Sequence, residues 1–248
     1  MKRILLFLLL LPFTSQSQIR KADSSLLKTT SRTTDFPKYK TQKLYSYTIG
    51  IKAFGYEELP KILNQVDAET FKTQYLSGLI LKINDNQISY RISGNFFSDR
   101  ITFKNECAEC EEVEGRLSDN ALRLGFERNF MYSTVQPYFG FDLGFRRNIF
   151  KGNARGIQNS GYPPYDVKTQ KNGFSLAPLF GLKFNVANHF TIAAESSLDL
   201  LYTYEKQEKT YIGENFNRTP TFADYTKWEF LFKPVGMLTL QYNFGEIY

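Results

Sequence analysis

The chain has 248 residues and a formal net charge of +6, from 31 Lys and Arg against 25 Asp and Glu. Beyond the first residues no stretch approaches the ~18 consecutive apolar residues of a membrane-spanning helix, which excludes a helical membrane protein. The mild basicity is a weak reason to expect nucleic acid, whereas 23 Phe and 16 Tyr suit strands and interfacial belts.

The N-terminus reads as a secretory signal peptide over 1–17. Lys2 and Arg3 form the charged region, Ile4 to Phe13 the apolar region, and Ser15-Gln16-Ser17 the small-x-small site, with cleavage near Ser17/Gln18. The apolar region is too short to cross ~30 Å of hydrocarbon as a helix, and no Cys follows it to take a lipid. Loss of Lys2 and Arg3 lowers the net charge from +6 to +4. Residues 18–42 lack apolar period and are rich in Ser, Thr and Asp. They read as a flexible periplasmic segment, with a barrel plug as the alternative.

From there the chain alternates. A first strand is expected over 43–54, with Tyr45, Tyr47, Ile49 and Ile51 on one face and Ser46, Thr48, Gly50 and Lys52 on the other. A long connection at 55–74 holds one helical turn around Leu59 to Leu63. Strands at 75–84 and 87–99 are joined by Asp85-Asn86, a tight hairpin pair. A second long connection spans 100–118. The fourth strand, 119–130, sets Leu122, Leu124 and Phe126 against Arg123, Gly125 and Glu127. A short link at 131–135 leads to the fifth, 136–149, where Phe139, Phe141, Leu143 and Phe145 alternate with Gly140, Asp142, Gly144 and Arg146. The third long connection, 150–172, carries the turn-forming run Gly161 to Tyr165. In the sixth strand, 173–186, Pro178 removes a ladder donor and predicts an irregularity. The turn Ala187-Asn188-His189 precedes the seventh strand, 190–205. A fourth long connection, 206–227, precedes the eighth, 228–244.

Short and long connections alternate around eight half-apolar strands. That rhythm predicts an all-β fold, an eight-stranded antiparallel up-and-down transmembrane β-barrel over 43–248, with both termini on the side of the short turns. A soluble lipocalin-type barrel has the opposite sense, an apolar lumen inside a polar wall. Two features favour the membrane sense. Strand glycines (Gly50, Gly78, Gly125, Gly140, Gly144, Gly181) fall on the polar face, as a narrow lumen requires. That face also carries nearly balanced charge, as buried charge requires: Lys52, Lys82, Arg91, Arg123, Arg146, Lys183 and Lys233 against Glu127, Asp142, Glu195, Asp199 and Glu229. Hairpin register suggests pairs Arg123–Asp142 and Lys183–Glu195. Tyr45, Tyr75, Trp228, Tyr242 and Phe244 lie near strand ends, where an interfacial girdle belongs.

With its strands so placed, the chain resembles the small eight-stranded outer-membrane barrels of Gram-negative bacteria, of the OmpA and OmpX type. The most specific local element is Leu238-Thr239-Leu240-Gln241-Tyr242-Asn243-Phe244 with Tyr248, which looks like the C-terminal assembly signal of such proteins. Gly245-Glu246-Ile247-Tyr248 extends past Phe244, a departure from the pattern. The resemblance implies a place in the cell outer membrane and insertion by the outer-membrane assembly machinery. It implies no single activity.

Cys107 and Cys110 are the only cysteines, and export to an oxidising compartment makes a local disulfide the plainest reading. A redox motif would need a βαβ setting, and a metal site two more ligands. Around them Glu106, Glu109, Glu111, Glu112 and Glu114 read as a solvated acidic loop. His189, the sole histidine, sits in a short turn; Ser197 and Asp199 share a face without a base nearby, so no catalytic triad is expected. No cofactor motif is present. The expected function is a non-catalytic outer-membrane barrel with a closed, charge-paired lumen. Its surface loops serve binding or envelope structure, in contact with membrane lipid and lipopolysaccharide, and nucleic acid is not an expected partner. The alternatives are a lipid-modifying barrel enzyme and a soluble lipocalin-like binding barrel.

Overall fold

A computed structural model describes residues 44–66, 71–131, 133–157, 161–213 and 219–247. The expected leader and the segment 18–42 lie outside the described residues. Eight strands form among the latter: β1 (Leu44–Glu58), β2 (Phe71–Asp85), β3 (Ile88–Asn105), β4 (Glu111–Asn129), β5 (Val135–Gly156), β6 (Tyr165–Asn185), β7 (Phe190–Tyr211) and β8 (Thr221–Ile247). Each pairs antiparallel with its neighbours in sequence, and β8 returns to β1 from Leu44↔Ile247 to Tyr56↔Val235, closing a barrel. Closure leaves no free sheet edge along the paired length.

The two ends differ. At one, the turn end, the connections are 86–87, 130–134 and 186–189. At the other, the loop end, they are 59–70, 106–110, 157–164 and 212–220. The tight hairpin centres on Asn86-Gln87, one residue later than expected, with Asp85↔Ile88 as its last pair and Asn86 in the left-handed region at φ 50°.

The strands run well past their expected loop-end limits, and the long connections shrink accordingly. The stretch 100–118 is almost wholly a β3–β4 hairpin, in register from Ile88↔Arg128 to Asn105↔Glu111. The physical reason is a reversal of side-chain chemistry along unbroken strands. Near the turn end the wall is oily: Ile92, Leu124, Leu143, Phe180 and Phe232 are exposed, while Arg91, Glu127, Asp142 and Asp199 are buried. Near the loop end the lumen is oily. Leu59, Ile62, Leu63, Phe103, Val113, Leu117, Phe150, Ala154, Tyr165 and Val167 pack there as one cluster, and Lys104, Glu112, Lys151 and Lys168 point outward. The loop-end half therefore has the soluble-barrel sense and the turn-end half the membrane sense.

Between them an apolar row crosses five strands in direct register: Leu122↔Phe145, Phe145↔Phe174, Phe174↔Tyr202 and Tyr202↔Trp228. The Tyr202 and Trp228 rings meet at 4.6 Å between centroids. Tyr75, Trp228, Tyr242 and Phe244 are exposed on the wall. Tyr45 is not; it is buried, because it tucks under His189, with ring centroids 5.0 Å apart.

The predicted helical turn around Leu59 to Leu63 is absent. Residues 59–66 instead fold into the loop-end mouth, turning at Leu63, whose φ is 56°. Apolar side chains at Leu59, Ile62 and Leu63 gain more by entering the oily lumen than by lying on a surface helix. At Pro178 the β6–β7 ladder skips from Leu176↔Leu200 to Leu179↔Ser197 without a change of register. The true bulges lie at Lys52/Phe54 in β1, at Phe54/Tyr56 where β1 meets β8, and opposite Ser196, where Pro234 to Gly236 of β8 make the detour. Pairing of β2 with β3 stops at Gly78↔Asn95. Above it β2 pairs with β1 alone, and Gln65 of the inserted loop bridges to Asn105 at the far end of β3.

Candidate functional site

Period-two geometry sends alternate residues of every strand inward, and in the turn-end half of this barrel many of those residues are charged. Lys52, Lys82, Arg91, Arg123, Arg146, Lys183 and Lys233 all point into the lumen, as do Glu127, Asp142, Glu195, Asp199 and, near the loop end, Glu229.

Nearest the turn end, Arg91 is a hub. Its guanidinium donates from Nε and Nη2 to the two oxygens of Asp142, at 2.9 and 2.7 Å. It reaches Glu195 at 2.5 and 2.9 Å and Glu127 at 3.2 Å. Glu127, fully buried, also accepts from Lys82 at 2.8 Å and pairs with Lys183 at 2.5 Å. Three cations thus share three carboxylates. The Tyr138 ring packs beneath Lys183, 4.8 Å from its Nζ, and its hydroxyl donates to Glu195 at 3.2 Å. That ring lies flat on Gly181, where a Cβ would come within 2.4 Å of it.

One level up, Lys233 joins Glu57 at 2.7 Å to Asp199 at 3.0 Å. Lys52 pairs with Glu57 at 3.0 Å, and Arg123 with Asp199 at 2.6 Å. Arg146 grips Asp119 through two hydrogen bonds, at 2.9 and 2.5 Å. The fork geometry makes this among the strongest kinds of pair.

At the loop end the charges hold the inserted loop. Lys171 pairs with Glu229 at 2.5 Å and donates to the Lys61 carbonyl at 2.8 Å. Glu205 accepts from the Leu63 amide at 3.0 Å, and Lys227 donates to the Leu63 carbonyl at 2.9 Å. Above this, Tyr165 donates to Glu111 at 2.7 Å. Burial and that hydrogen bond push the Tyr165 hydroxyl pKa well up.

Two expected pairs do not form. Arg123 lies opposite Gly144 and reaches Asp199, while Lys183 lies opposite Ala193 and reaches Glu127. An eight-stranded barrel is narrow enough for side chains to fill its interior, so long side chains reach past the adjacent strand and bond across the lumen. Five further ion-paired groups were missed: Glu57, Asp119, Lys171, Glu205 and Lys227. Asp119, Lys171 and Glu205 sit at inward positions of strands that run further than expected. Adding them and the buried Glu111 gives nine inward cations (Lys52, Lys82, Arg91, Arg123, Arg146, Lys171, Lys183, Lys227, Lys233) against nine carboxylates (Glu57, Glu111, Asp119, Glu127, Asp142, Glu195, Asp199, Glu205, Glu229), so these charges balance and the interior is neutral.

Cys107 and Cys110 form a disulfide across the tip of the β3–β4 hairpin. His189 remains at the turn end, its Nδ1 2.9 Å from the Asn243 carbonyl oxygen and its ring stacked on Tyr242. Asp199 is held between Arg123 and Lys233.

No protein-family model and no curated protein sequence matches the chain. Among solved structures it is similar to the outer membrane protein OprG from Pseudomonas aeruginosa, at 13% identity over 82% of this chain and 98% of that one, with a TM-score of 0.54. The likeness is one of architecture, and the chain has the fold of an eight-stranded outer-membrane β-barrel.

Proposed function

We propose that this chain is an exported barrel of the outer membrane that is closed along its axis, catalyses nothing and acts through its exterior. The observation that carries the reading is the neutral interior, in which every charge placed on the lumen face has a partner across or along the wall. An open channel needs charges that water and ions can reach; here Arg91, Glu127 and Asp142 are shielded by one another. The oily loop-end plug adds a second barrier. A cavity of about 80 Å³ opens toward the turn end, bordered by Asn84, Asn129, Gln136, Asn185 and Gln241, and one of about 30 Å³ lies among the charges. Such volumes suit a few waters, not a solute stream.

The turn end faces the periplasm in this reading, and the oily wall meets acyl chains. The expected partners are outer-leaflet lipid, lipopolysaccharide and the assembly machinery that would read the end of β8. A non-catalytic role is supported by Asp199 being committed to two cations and by His189 lying in the turn before β7, ten residues from Asp199. Planar-bilayer recording tests closure: the purified protein should give no steady current, and large, lasting conductance steps would refute it. Lipid A mass spectra from a deletion strain should match the parent; a changed acylation pattern would favour the lipid-modifying enzyme instead.

A further inference from the structure

The outer wall carries a row of like charges that interior pairing does not explain. Arg100 of β3 stands directly opposite Arg116 of β4. Arg116 stands opposite Lys151 of β5, and Lys151 opposite Lys168 of β6. All four are exposed and point outward. Strand spacing makes this a line of four cations about 14 Å long. Like charges directly opposite one another destabilise a sheet, so the row has a cost unless something anionic lies along it.

Among the described residues the chain supplies that anion at one end of the row only, where Glu208 of β7 stands directly opposite Lys168. Among the described residues Arg100, Arg116 and Lys151 have no carboxylate within ion-pair distance, and Lys168 reaches only the exposed Glu208, at 4.0 Å. The next outward-facing row carries two carboxylates and no cation: Thr102, Glu114, Asn153 and Asp166 stand in register there, and Glu114 is turned to Arg155. The contrast with the lumen, where each cation is matched, marks the row as a surface made for a partner.

Position identifies the partner's class. The row runs parallel to the apolar row of Leu122, Phe145 and Phe174 and six residues further along β4, β5 and β6. That is about 20 Å along the strands, or roughly 15 Å along the membrane normal at the usual barrel tilt. The side chains face sideways, toward whatever stands beside the barrel. A phospholipid phosphate lies too close to the hydrocarbon to reach them; a phosphate on a sugar head group does not. Two guanidinium forks suit phosphate oxygens. We infer that Arg100, Arg116, Lys151 and Lys168 bind the phosphorylated saccharide head group of an outer-leaflet glycolipid. This rests on the outer-membrane reading above.

The test uses the full chain reconstituted in phosphatidylcholine nanodiscs doped with phosphorylated lipopolysaccharide, with the same glycolipid after acid dephosphorylation, or with phosphatidylglycerol. Glycolipid retained per barrel is counted by mass spectrometry. The wild type should retain at least tenfold more of the phosphorylated form than of either other lipid, and the excess should collapse in 1 M salt, where the Debye length is about 3 Å. The variant Arg100→Gln/Arg116→Gln/Lys151→Gln/Lys168→Gln should lose that excess and unfold at an equal or higher urea concentration, since it removes repulsion. Should the fourfold variant fail to fold, Lys151→Gln alone should lower retention two- to threefold. Equal retention of phosphorylated and dephosphorylated glycolipid, or undiminished retention by the variants, would overturn the inference. Equal retention of phosphatidylglycerol would overturn the saccharide assignment. Insertion is scored separately, by heat-modifiable gel mobility and Trp228 emission: a chain that does not insert refutes the membrane reading, while one that inserts without selecting phosphate refutes only this site.

Discussion

Glu127→Gln is the sharpest perturbation of the interior. The substitution keeps the shape of the side chain and removes one negative charge. Glu127 is fully buried and serves Lys82, Arg91 and Lys183 at 2.8, 3.2 and 2.5 Å. The surrounding cluster holds these three cations against Glu127, Asp142 and Glu195, so the variant leaves one buried positive charge unmatched. Breaking a buried pair by removing one partner costs about 3–5 kcal/mol. An exposed pair such as Arg155–Glu114, at 3.5 Å with side chains 71% and 48% exposed, gives the control: its loss should cost about 0–1 kcal/mol. Equilibrium urea unfolding in phospholipid bilayers can follow Trp228, the only tryptophan, which faces outward on the oily wall. Adding Lys183→Met to Glu127→Gln restores two cations against two carboxylates and should recover much of the loss. A Glu127→Gln loss below about 1 kcal/mol, or a double variant no more stable than the single, would refute the charge-matching account.

Other expectations are independent of that cluster. Gly181→Val should drive the Tyr138 ring off its seat, where even a Cβ meets the ring at 2.4 Å, and lower stability by about 1–3 kcal/mol in the same unfolding assay. Tyr165→Phe should cost about 1–3 kcal/mol by stripping the buried Glu111 of a donor. Because folding raises the Tyr165 pKa, its protonated form contributes stability that is complete below the ordinary tyrosine value of about 10 and is lost as pH rises beyond it. The advantage of wild type over Tyr165→Phe should therefore shrink above that pH; an advantage that grows would contradict the buried-hydroxyl assignment. Replacing both Cys107 and Cys110 by Ser opens a loop spanning a sequence separation of 3. It should cost no more than about 2 kcal/mol and leave heat-modifiable mobility unchanged.

Which parts of this architecture the chain discloses depends on what period two can carry. Strand number, antiparallel order, closure and the inward sense of Arg91, Asp142 or Lys183 all follow from alternation in the oily half. The loop-end half was hidden by its own regularity. In β4 the inward residues are odd-numbered throughout, but the apolar residues change from odd (Val113, Leu117) to even (Leu122, Leu124, Phe126). An eye that equates apolar with lipid-facing ends the strand there, and so leaves Lys171 in a loop and Asp119 and Glu205 as the outermost residues of their strands, where their inward sense goes unread. Glu57 is hidden for another reason: the bulge at Lys52/Phe54 shifts which residues of β1 point inward. The cross-lumen partners of Arg123 and Lys183 depend on barrel diameter and strand tilt, which no local pattern encodes.

The change of chemistry along unbroken strands draws a waterline around the barrel. Sinking it by one pleat would drag Asn120, Arg147 and Asn172, which stand in register just above the apolar row, into oil. Raising it by one pleat would lift Phe145 and Phe174 into water. In the outer-membrane reading, depth is set by the hull itself, and a bilayer of a different thickness would have to deform to meet it.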